Sequence, residues 1–420
     1  MDRAMNAVDD LRRQVCRLFA PSADARPMRI GAEVELLVFD RSTAGGHGVV
    51  SVDRLAAILA TDPRLEAEAL FSFEPGGQLE MSPPPATSAR ELLATLRRLV
   101  ARTDALLACH GIGIASRPVD PWRTASDLGL QTPAGRYVEM QRHFDLIGPA
   151  GRQMMRRTAS LQVTVDLLPG EAGRRQWLLA NLAAPGLAMA FGRPARVDGG
   201  ESRLGIWRRV DPSRTGYDGV QIDRVDPASG YTTFALAAEV MPLPRDGEGP
   251  AGAPAPRSRA TFRDWVGMEA ARPDSPDVAH HLSTLFPPVR PRGKYLEVRF
   301  VDAQPFEWLD VPISVLAVLL GDELATREAL ELVGTDTSSL ADRWSDAEGG
   351  VEPRLQRIGV ELFEIAGRRS RGDSAGRLPA NAHDLIDRYA QHYLQSAADA
   401  HPDPIGAAAT ATLTPLGGAA

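Results

Sequence analysis

Acidic side chains at alternate positions of an apolar segment are the feature that most limits how this chain can fold. Residues 28 to 39 are mostly apolar but carry Glu33 and Glu35 on either side of Val34. Successive side chains of a β-strand point to opposite faces of the sheet, so carboxylates at this spacing share one face. Two anions on a half-buried face repel each other unless a metal ion or an arginine lies between them. We therefore predict a β-strand whose polar face lines a charged site.

The same pattern recurs in three later segments. A hairpin is predicted with arms at 69 to 73 and 78 to 81, because the turn Glu74-Pro75-Gly76-Gly77 between them consists largely of turn-forming residues. Two further strands are predicted at 160 to 168 and at 295 to 301. The polar residues that these segments bring to the sheet are Glu74, Gln78, Glu80, Gln162, Thr164, Asp166, Glu297 and Arg299.

Carboxylate and amide oxygens at this density favour one kind of ligand. Hard oxygen donors suit Mg²⁺, which keeps part of its coordination for water and substrate phosphates, whereas zinc would need histidine or thiolate. We predict a sheet that lines an active site with several Mg²⁺ ions. The alternative is that these are solvated faces of ordinary amphipathic strands, with the acids paired to arginines.

Lysine is almost absent, which excludes two kinds of site. The 47 basic residues include a single lysine, Lys294, in the stretch Arg-Gly-Lys-Tyr-Leu-Glu. A P-loop requires a lysine directly after its glycines, and a pyridoxal enzyme requires one for its Schiff base, and Lys294 has neither setting. If the protein binds phosphates, then arginine, backbone amides and metal ions must bind them.

Charge and hydropathy argue against other classes of function. The net charge is −7 and no basic stripe interleaves with aromatic residues, so nucleic acid is not expected as a partner. No apolar run approaches the roughly 20 residues that span a bilayer, and the N-terminus lacks the apolar core of a signal peptide. We therefore expect a cytoplasmic protein that is not inserted in a membrane. Cys16 and Cys109 lack metal-ligand spacing and are expected to be buried or inert thiols.

A single domain is predicted for residues 1 to 400. Its core motifs occupy 28 to 305, and its last part, 310 to 400, has helical periodicity almost throughout. Residues 243 to 258, rich in Pro, Gly and Ala, are predicted to form a loop or an ordered insertion inside this domain, and residues 401 to 420 a disordered tail. Helices are predicted at 8–19, 53–60, 88–109, 136–146, 172–190, 311–320, 322–332, 352–367 and 382–398.

In their order along the chain, the polar segments resemble those of a known family, the plant-type glutamate–cysteine ligases, and within it the bacterial ergothioneine-pathway branch. The likeness extends from about residue 30 to about residue 305, and its most specific part is Glu74-Pro-Gly-Gly-Gln-Leu-Glu80. The segments that carry it are Gly31-Ala-Glu-Val-Glu35, Phe73 to Ser82, Ile147-Gly-Pro-Ala-Gly-Arg152, Thr158-Ala-Ser-Leu-Gln-Val-Thr-Val-Asp166, Arg203 to Thr215, Leu285 to Arg292 and Tyr295-Leu-Glu-Val-Arg299.

This resemblance implies an α+β fold like that of glutamine synthetase, in which a curved, mainly antiparallel sheet forms an active-site funnel and helices pack outside. It implies that ATP phosphorylates the γ-carboxylate of glutamate and that the amine of cysteine then displaces phosphate, giving γ-glutamylcysteine and ADP. The ligands would be glutamate, cysteine, ATP and Mg²⁺, and the protein a monomer or a homodimer. The residues suit this chemistry, because phosphoryl transfer requires mainly positioning and charge neutralisation.

The resemblance also implies roles for individual residues. The implied Mg²⁺ ligands are Glu33, Glu35, Glu74, Glu80 and Glu297. Arg299 would contact the transferring phosphate and, together with Glu297, would be catalytic. Gln162 and Arg299 would also bind the nucleotide.

Three residues are implied to bind substrate. Gln78 would orient glutamate, and Arg203 would hold a substrate carboxylate, since a guanidinium group matches a carboxylate bidentately. Arg214 would bind the same carboxylate or a phosphate. For both arginines the alternative is an ion pair at the protein surface.

One position departs from the family's pattern. Thr164 stands where the family has asparagine, and a hydroxyl group cannot donate and accept at two separate atoms as an amide does. Two alternatives therefore stay open: a ligase of the same fold that uses another amine or acid in a specialised pathway, and a non-catalytic protein that binds an amino acid or a nucleotide. The retained acids disfavour the non-catalytic binding protein, because carboxylates that repel one another have no physical reason to be clustered without a cation.

Overall fold

The computed structural model describes residues 2–21, 28–132, 135–192, 201–241, 259–268, 272–350 and 352–398. The loop predicted at 243 to 258 and the tail predicted at 401 to 420 lie outside the described residues. Within them, helices surround an antiparallel sheet, which confirms the predicted α+β class.

One antiparallel sheet lies at the centre of the described chain. Its strands are β1 (Ile30–Asp40), β2 (Leu70–Phe73), β3 (Leu79–Ser82), β4 (Ile112–Ala115), β5 (Leu161–Asp166), β6 (Val289–Pro291) and β7 (Tyr295–Val298). They follow the order β2-β3-β1-β5-β7-β6, and β4 pairs with the second half of β1. Because β1 pairs with β3, β4 and β5, it connects the two halves of the sheet.

Helices make up most of the remaining described chain. They are α1 (Asp2–Leu18), α2 (Val52–Leu59), α3 (Pro63–Glu68), α4 (Ala89–Ala108), α5 (Ala125–Leu128), α6 (Gly135–Asp145), α7 (Ala150–Arg157), α8 (Gly170–Leu182), α9 (Ala184–Phe191), α10 (Arg203–Arg208), α11 (Pro212–Thr215), α12 (Pro227–Ala237), α13 (Phe262–Gly267), α14 (Ser275–Ser283), α15 (Asp310–Gly321), α16 (Glu323–Val333), α17 (Leu340–Gly349), α18 (Pro353–Arg371) and α19 (Ala382–Ala398). A 3₁₀ turn spans Phe306–Trp308. Among the described helices, none combines the length and apolar character needed to cross a bilayer.

The two faces of β1 have opposite character. Ala32, Val34 and Leu36 are buried and belong to the main hydrophobic core, where α4 contacts β1 and α15 contacts β5. Complete burial of one such aliphatic side chain contributes about 1.5–3 kcal/mol, so this face holds the sheet against the helices. Glu33 and Glu35 alternate with these residues and therefore lie on the other face. The hydrophobic core thus orients the polar face of the sheet.

One predicted helix is divided in the structure, and several helices of the structure, α17 among them, were not predicted. The helix predicted at 172–190 is divided into α8 and α9, because Pro185 in the first turn of α9 lacks an N–H and cannot continue a helix. Residues 176 to 182 of α8 and all of α9 are buried, so their apolar character continues across the break. The helix α17 was not predicted, and its indole Trp344 is almost fully buried.

A buried network of charged groups joins α6 and α11. Arg214 on α11 has no exposed side-chain surface, and its Nε lies 3.1 Å from Oδ2 of Asp211. One Nη atom donates to the hydroxyl of Thr284 at 2.7 Å, and the other donates to the carbonyl of Glu239. Asp211 also contacts Nε2 of His143 on α6, at 2.9 Å. The guanidinium of Arg214 therefore contacts groups of the protein interior.

We expect Arg214→Ala to lower the free energy of unfolding by about 3–5 kcal/mol, because it leaves the buried carboxylate of Asp211 without its guanidinium partner. Urea denaturation measures the change. The matched control is Arg12→Ala, whose weak pair with Asp226 is exposed at 3.9 Å and whose loss should cost less than about 1 kcal/mol. Equal effects of the two substitutions would show that the buried network does not stabilise the fold.

Candidate active site

The register of the strands brings the predicted acids to neighbouring positions on one face of the sheet. Glu35 on β1 lies opposite Glu80 on β3, and Glu33 lies opposite Gln162 on β5. One step further across the sheet, Glu297 on β7 lies opposite Thr164 on β5. Directly opposed residues of antiparallel strands have Cβ atoms about 4.5–5.5 Å apart. The pairing of the strands therefore assembles the cluster.

Three carboxylates come close enough to share one cation. An oxygen atom from each of Glu35, Glu74 and Glu80 lies within 4.8 Å of the other two. Glu74 is the first residue of the hairpin turn, where its N–H donates to the carbonyl of Gln78 at 2.9 Å. Within the described residues this is the group of acids arranged to hold a metal ion.

Two glycines fix the turn that carries Glu74. Gly77 has φ +87°, a conformation that side chains other than glycine's rarely adopt. Gly76 packs against the backbone of α7, and a Cβ atom added there would lie 2.2 Å from the carbonyl oxygen of Arg156. The turn can thus approach α7 only without a side chain at Gly76, and the backbone conformation at Gly77 favours glycine, which gives a physical reason for the two glycines.

Neutral donors orient two of the three carboxylates. Glu35 accepts hydrogen bonds from the N–H of Ser160 at 2.7 Å, from its hydroxyl at 2.9 Å, and from Nε2 of Gln162 at 2.9 Å. The hydroxyl of Ser72 donates to Glu80 at 2.6 Å. Ser72 and Ser160 were not predicted as site residues. The signal that could have identified Ser72 is its position opposite Glu80 in the hairpin.

Burial and mutual repulsion raise the pKa values of several of these acids. Burial, followed by the charges of Glu80 and Glu297, raises the pKa of Glu33 to about 7. The pKa of Glu74 is raised by burial and then by Glu35 and Glu80, and that of Glu80 by burial and then by Glu35. A cation bound between these groups would relieve both effects, because it stabilises the ionised form.

A cationic region adjoins the acids on β6 and β7. Nη1 of Arg299 lies 3.0 Å from Oε2 of Glu297 and donates to Oε1 of Gln162 at 2.6 Å. Arg290, opposite Glu297 in the sheet, has Nη1 at 3.9 Å from the same Oε2. Burial alone would raise the pKa of Glu297, but Arg299 and Arg290 beside it hold that pKa below its usual value. Glu297 is thus held ionised by arginines, unlike Glu33, Glu74 and Glu80.

The donors suit a magnesium ion. Every potential ligand in the group Glu35, Glu74 and Glu80 is a carboxylate oxygen, and these oxygens have no arginine directly bonded to them among the described contacts. Oxygen-only coordination is characteristic of Mg²⁺ and Ca²⁺ rather than of zinc. Of the five predicted metal ligands, these three share one potential centre, while Glu33 and Glu297 are linked to it through their electrostatic coupling.

The residues predicted to bind substrate occupy different places. Gln78 is buried beside the turn and donates from Nε2 to the carbonyl of Thr158 at 2.8 Å, whereas its Oε1 has no hydrogen-bond partner within the described residues. Nη2 of Arg203 donates to the carbonyl of Arg299 at 2.9 Å, and its guanidinium lies over Trp207. Arg203 therefore borders the site and supports the strand end that carries Arg299.

Arg214 does not reach the acids, and its predicted contact with substrate is wrong. The side chain is fully buried in the network with Asp211, Thr284 and Glu239 described above, so no part of it is accessible to a substrate. The sequence motif around Arg214 could not distinguish this structural role from a role in binding.

Two further residues near the acids were not predicted. Tyr137 on α6 has a pKa raised by burial and then by the charge of Glu74. The guanidinium of Arg299 lies 5.9 Å from the ring centroid of Trp207, so the indole contacts both Arg203 and Arg299. Tyr137 and Trp207 therefore extend the site beyond its acidic strands.

A separate surface cleft of about 580 Å³ lies between α8 and α16 and contains none of these acids. Its arginines Arg174 and Arg175 pair with Glu171, and Arg327 pairs with Glu323. Because these charged side chains pair with neighbours on exposed helices, they are less available to a substrate than the acids on the face of the sheet.

Comparison with known proteins shows a match to one protein family and to individual proteins of similar sequence. Residues 29–352 match the sequence profile of glutamate-cysteine ligase family 2. The chain is 32% identical to the glutamate–cysteine ligase EgtA of Mycolicibacterium smegmatis, over 81% of this chain and 80% of that protein. It is 30% identical to the EgtA of Mycobacterium tuberculosis, over 86% of this chain and 83% of that protein.

A solved structure of a glutamine synthase homologue is also similar. It covers 92% of this chain and 74% of its own, with 13% sequence identity and a TM-score of 0.33. The profile match includes every acid of the candidate site, from Glu33 to Glu297. The chain therefore belongs to glutamate-cysteine ligase family 2.

Proposed function

We propose that this protein is an ATP-dependent ligase that joins the γ-carboxylate of glutamate to the amine of cysteine, giving γ-glutamylcysteine, ADP and phosphate. The observation that carries the proposal is the position of the carboxylates Glu35, Glu74 and Glu80 next to the Glu297–Arg299 pair. Such a site can hold a cation and, beside it, the anionic groups of a nucleotide and an amino acid. Membership of the family supports the same reaction.

We assign the metal to Mg²⁺, held by Glu35, Glu74 and Glu80, with Glu33 and Glu297 available beside them. When bound, Mg²⁺ supplies positive charge to the phosphate groups of ATP. The hydrogen bonds from Ser160 and Gln162 hold Glu35 in place, so the arrangement of the acids is set before any ligand binds.

Arg299 has the chemistry to support the transfer of the phosphoryl group. In the first step a γ-carboxylate oxygen of glutamate bonds to the γ-phosphorus of ATP, and the bond to ADP breaks. The guanidinium of Arg299 neutralises charge on the transferring oxygens, while Glu297 and Gln162 fix its direction. In the second step the amine nitrogen bonds to the acyl carbon, and the bond from that carbon to the phosphate oxygen breaks. Phosphate leaves with the bonding electrons and takes up the proton that the amine releases.

The remaining proposals concern substrate binding, cellular location, oligomeric state and pathway. Oε1 of Gln78, which has no partner among the described groups, is proposed to accept a hydrogen bond from glutamate. Arg203 is proposed to act through Arg299, whose carbonyl it holds. We further propose that the protein works in the cytoplasm as a monomer or a homodimer and supplies γ-glutamylcysteine for ergothioneine synthesis.

Incubation of the purified protein with ATP, Mg²⁺, glutamate and each common amino acid in turn tests the reaction. We expect phosphate release that requires both glutamate and cysteine, together with a product of the mass of γ-glutamylcysteine. Release with another amine would identify a specialised ligase of the same fold, for which the short hydroxyl of Thr164 beside Glu297 would be the first residue to examine. No release with any amine would contradict catalysis.

Removal of a metal-binding carboxylate should abolish most activity. We expect Glu35→Gln and Glu80→Gln each to lower kcat/KM by at least about 100-fold, since even residues that only support metal ligands typically cost 10–100-fold. The matched control is Glu171→Gln on the outer surface of α8, which should leave kcat/KM within about twofold. Activity of Glu35→Gln close to that of the unsubstituted protein would remove this residue from the proposed metal site.

The raised pKa values predict how pH affects the metal-free protein. Glu33 titrates at about 7 in the folded protein but near 4.5 when exposed, so the folded state binds more protons between these values. Thermal stability in EDTA should therefore fall as pH rises from about 5 to about 7.5. Added Mg²⁺ should oppose this fall, because it replaces protons at the acids.

Differential scanning calorimetry with and without Mg²⁺ measures this dependence. Glu33→Gln serves as the comparison, since it removes one titrating group and should flatten the dependence in EDTA. A melting temperature in EDTA that rises over the same pH range would contradict the proposed clustering of protonated acids.

A further inference from the structure

The hairpin turn that carries Glu74 is buried. Pro75, Gly76, Gly77 and Gln78 all lie in the interior, although turns usually run over the surface, where water can bind their backbone groups. The hairpin itself supplies part of the hydrogen bonding, since the N–H of Gly77 donates to the carbonyl of Glu74 at 2.8 Å. Because buried carbonyls are almost always paired, those of Pro75 and Gly76 require donors from elsewhere in the chain.

Gln131 supplies both of these donors. Its backbone N–H donates to the carbonyl of Pro75 at 2.7 Å, and Nε2 of its side chain donates to the carbonyl of Gly76 at 3.1 Å. The side-chain amide also lies against Gly77, where an added Cβ atom would be 2.6 Å from that Nε2. One residue therefore contacts three consecutive positions of the turn.

The segment that carries Gln131 is itself anchored. Gln131 follows shortly after α5, and the carbonyl of Ala125 in that helix accepts a hydrogen bond from Nη1 of Arg156 at 2.8 Å. Arg156 belongs to α7, and its backbone carbonyl is the group against which Gly76 packs. The helices α5 and α7 are thus linked, and together they support the turn from two directions.

Glu74 depends on this support more than the other two acids of the metal site. Glu35 and Glu80 lie within strands, and neutral donors hold their carboxylates at distances of 2.6 to 2.9 Å. Glu74 follows the last residue of β2, and its carboxylate accepts no hydrogen bond from the part of the chain that the structure describes. The backbone of the turn therefore sets the position of this carboxylate.

We propose that Gln131 is a positioning residue for the metal site, which fixes the carboxylate of Glu74 by holding the carbonyls of Pro75 and Gly76. This inference rests on the proposed function and deepens it, since it assigns the support of the third carboxylate to a residue outside the sheet. Gln131 acts through Glu74 and is not itself a ligand.

Substitution of Gln131 should weaken the binding of Mg²⁺. Gln131→Met keeps a side chain of similar length but removes the donor to Gly76, so we expect the dissociation constant of Mg²⁺ to rise about tenfold, the lower end of the effect of residues that orient metal ligands. Isothermal titration calorimetry of the full chain with MgCl₂ measures this constant without turnover. Gln131→Ala, which also removes the contact with Gly77, should have at least the same effect and replaces the methionine variant if that variant does not fold.

Hydrogen–deuterium exchange tests whether the effect passes through the turn. In Gln131→Met, peptides covering residues 74 to 78 should exchange faster, because the turn has lost one of its fixed contacts, whereas peptides from β1 should exchange as before. The matched control is Gln14→Met on α1, where Nε2 of Gln14 donates to the carbonyl of Ser275 at 3.1 Å, the same kind of bond outside the site. This control should leave the dissociation constant of Mg²⁺ within about twofold.

Weaker Mg²⁺ binding together with faster exchange in the turn of Gln131→Met, and neither change in Gln14→Met, supports the proposal. A lower melting temperature of Gln131→Met with an unchanged dissociation constant would show a purely structural role and overturn it, as would weaker binding without faster exchange in the turn. If the unsubstituted protein does not bind Mg²⁺, the metal site of the proposed function fails together with this inference, a result that is visible before any substitution is compared.

Discussion

Electrostatic repulsion among carboxylates on one face of the sheet is the constraint on which this structure depends. Burial, followed by the charges of neighbouring acids, raises the pKa values of Glu33, Glu74 and Glu80. Hydrophobic packing on the opposite face stabilises the sheet and holds these groups together despite their repulsion. The acids are thus held in a state that favours a cation, and this preorganisation is the property that a metal-dependent ligase requires.

The arginine side chains have two different roles in the structure. Arg290 and Arg299 keep Glu297 ionised inside the site, whereas Arg203 supports Arg299 through its backbone carbonyl. Arg214 has the same side chain but lies in the interior, where it joins α11 to the loop residues Glu239 and Thr284. Guanidinium groups therefore act both as ligands for anions and as internal connectors. With a single lysine in the chain, this division of roles falls almost entirely on arginine.

The acidic face of the sheet could be predicted from the sequence because the period of a strand is fixed at two residues. Once their segment forms a strand, Glu33 and Glu35 must share a face of the sheet whatever the fold. The residues from Glu74 to Glu80 have a strong local preference for a hairpin turn. The partners of these acids could not be found in this way. Ser160 and Arg290 reach the acids through strand pairing, which alternation within a single strand does not reveal. Arg214 was assigned wrongly because a motif records a residue type but not the direction in which the side chain points.

The hydrogen bonds of the site connect distant parts of the chain. Ser160 and Glu35 are 125 positions apart, and Arg299 and Gln162 are 137 positions apart. Contacts with such sequence separation form late, since each requires the closure of a long loop. The cluster of acids should therefore be complete only when β1, β5 and β7 have all joined the sheet. Cation binding would then distinguish finished molecules from folding intermediates, and the ion would shift the population toward the native state because it has no comparable site in an incomplete sheet.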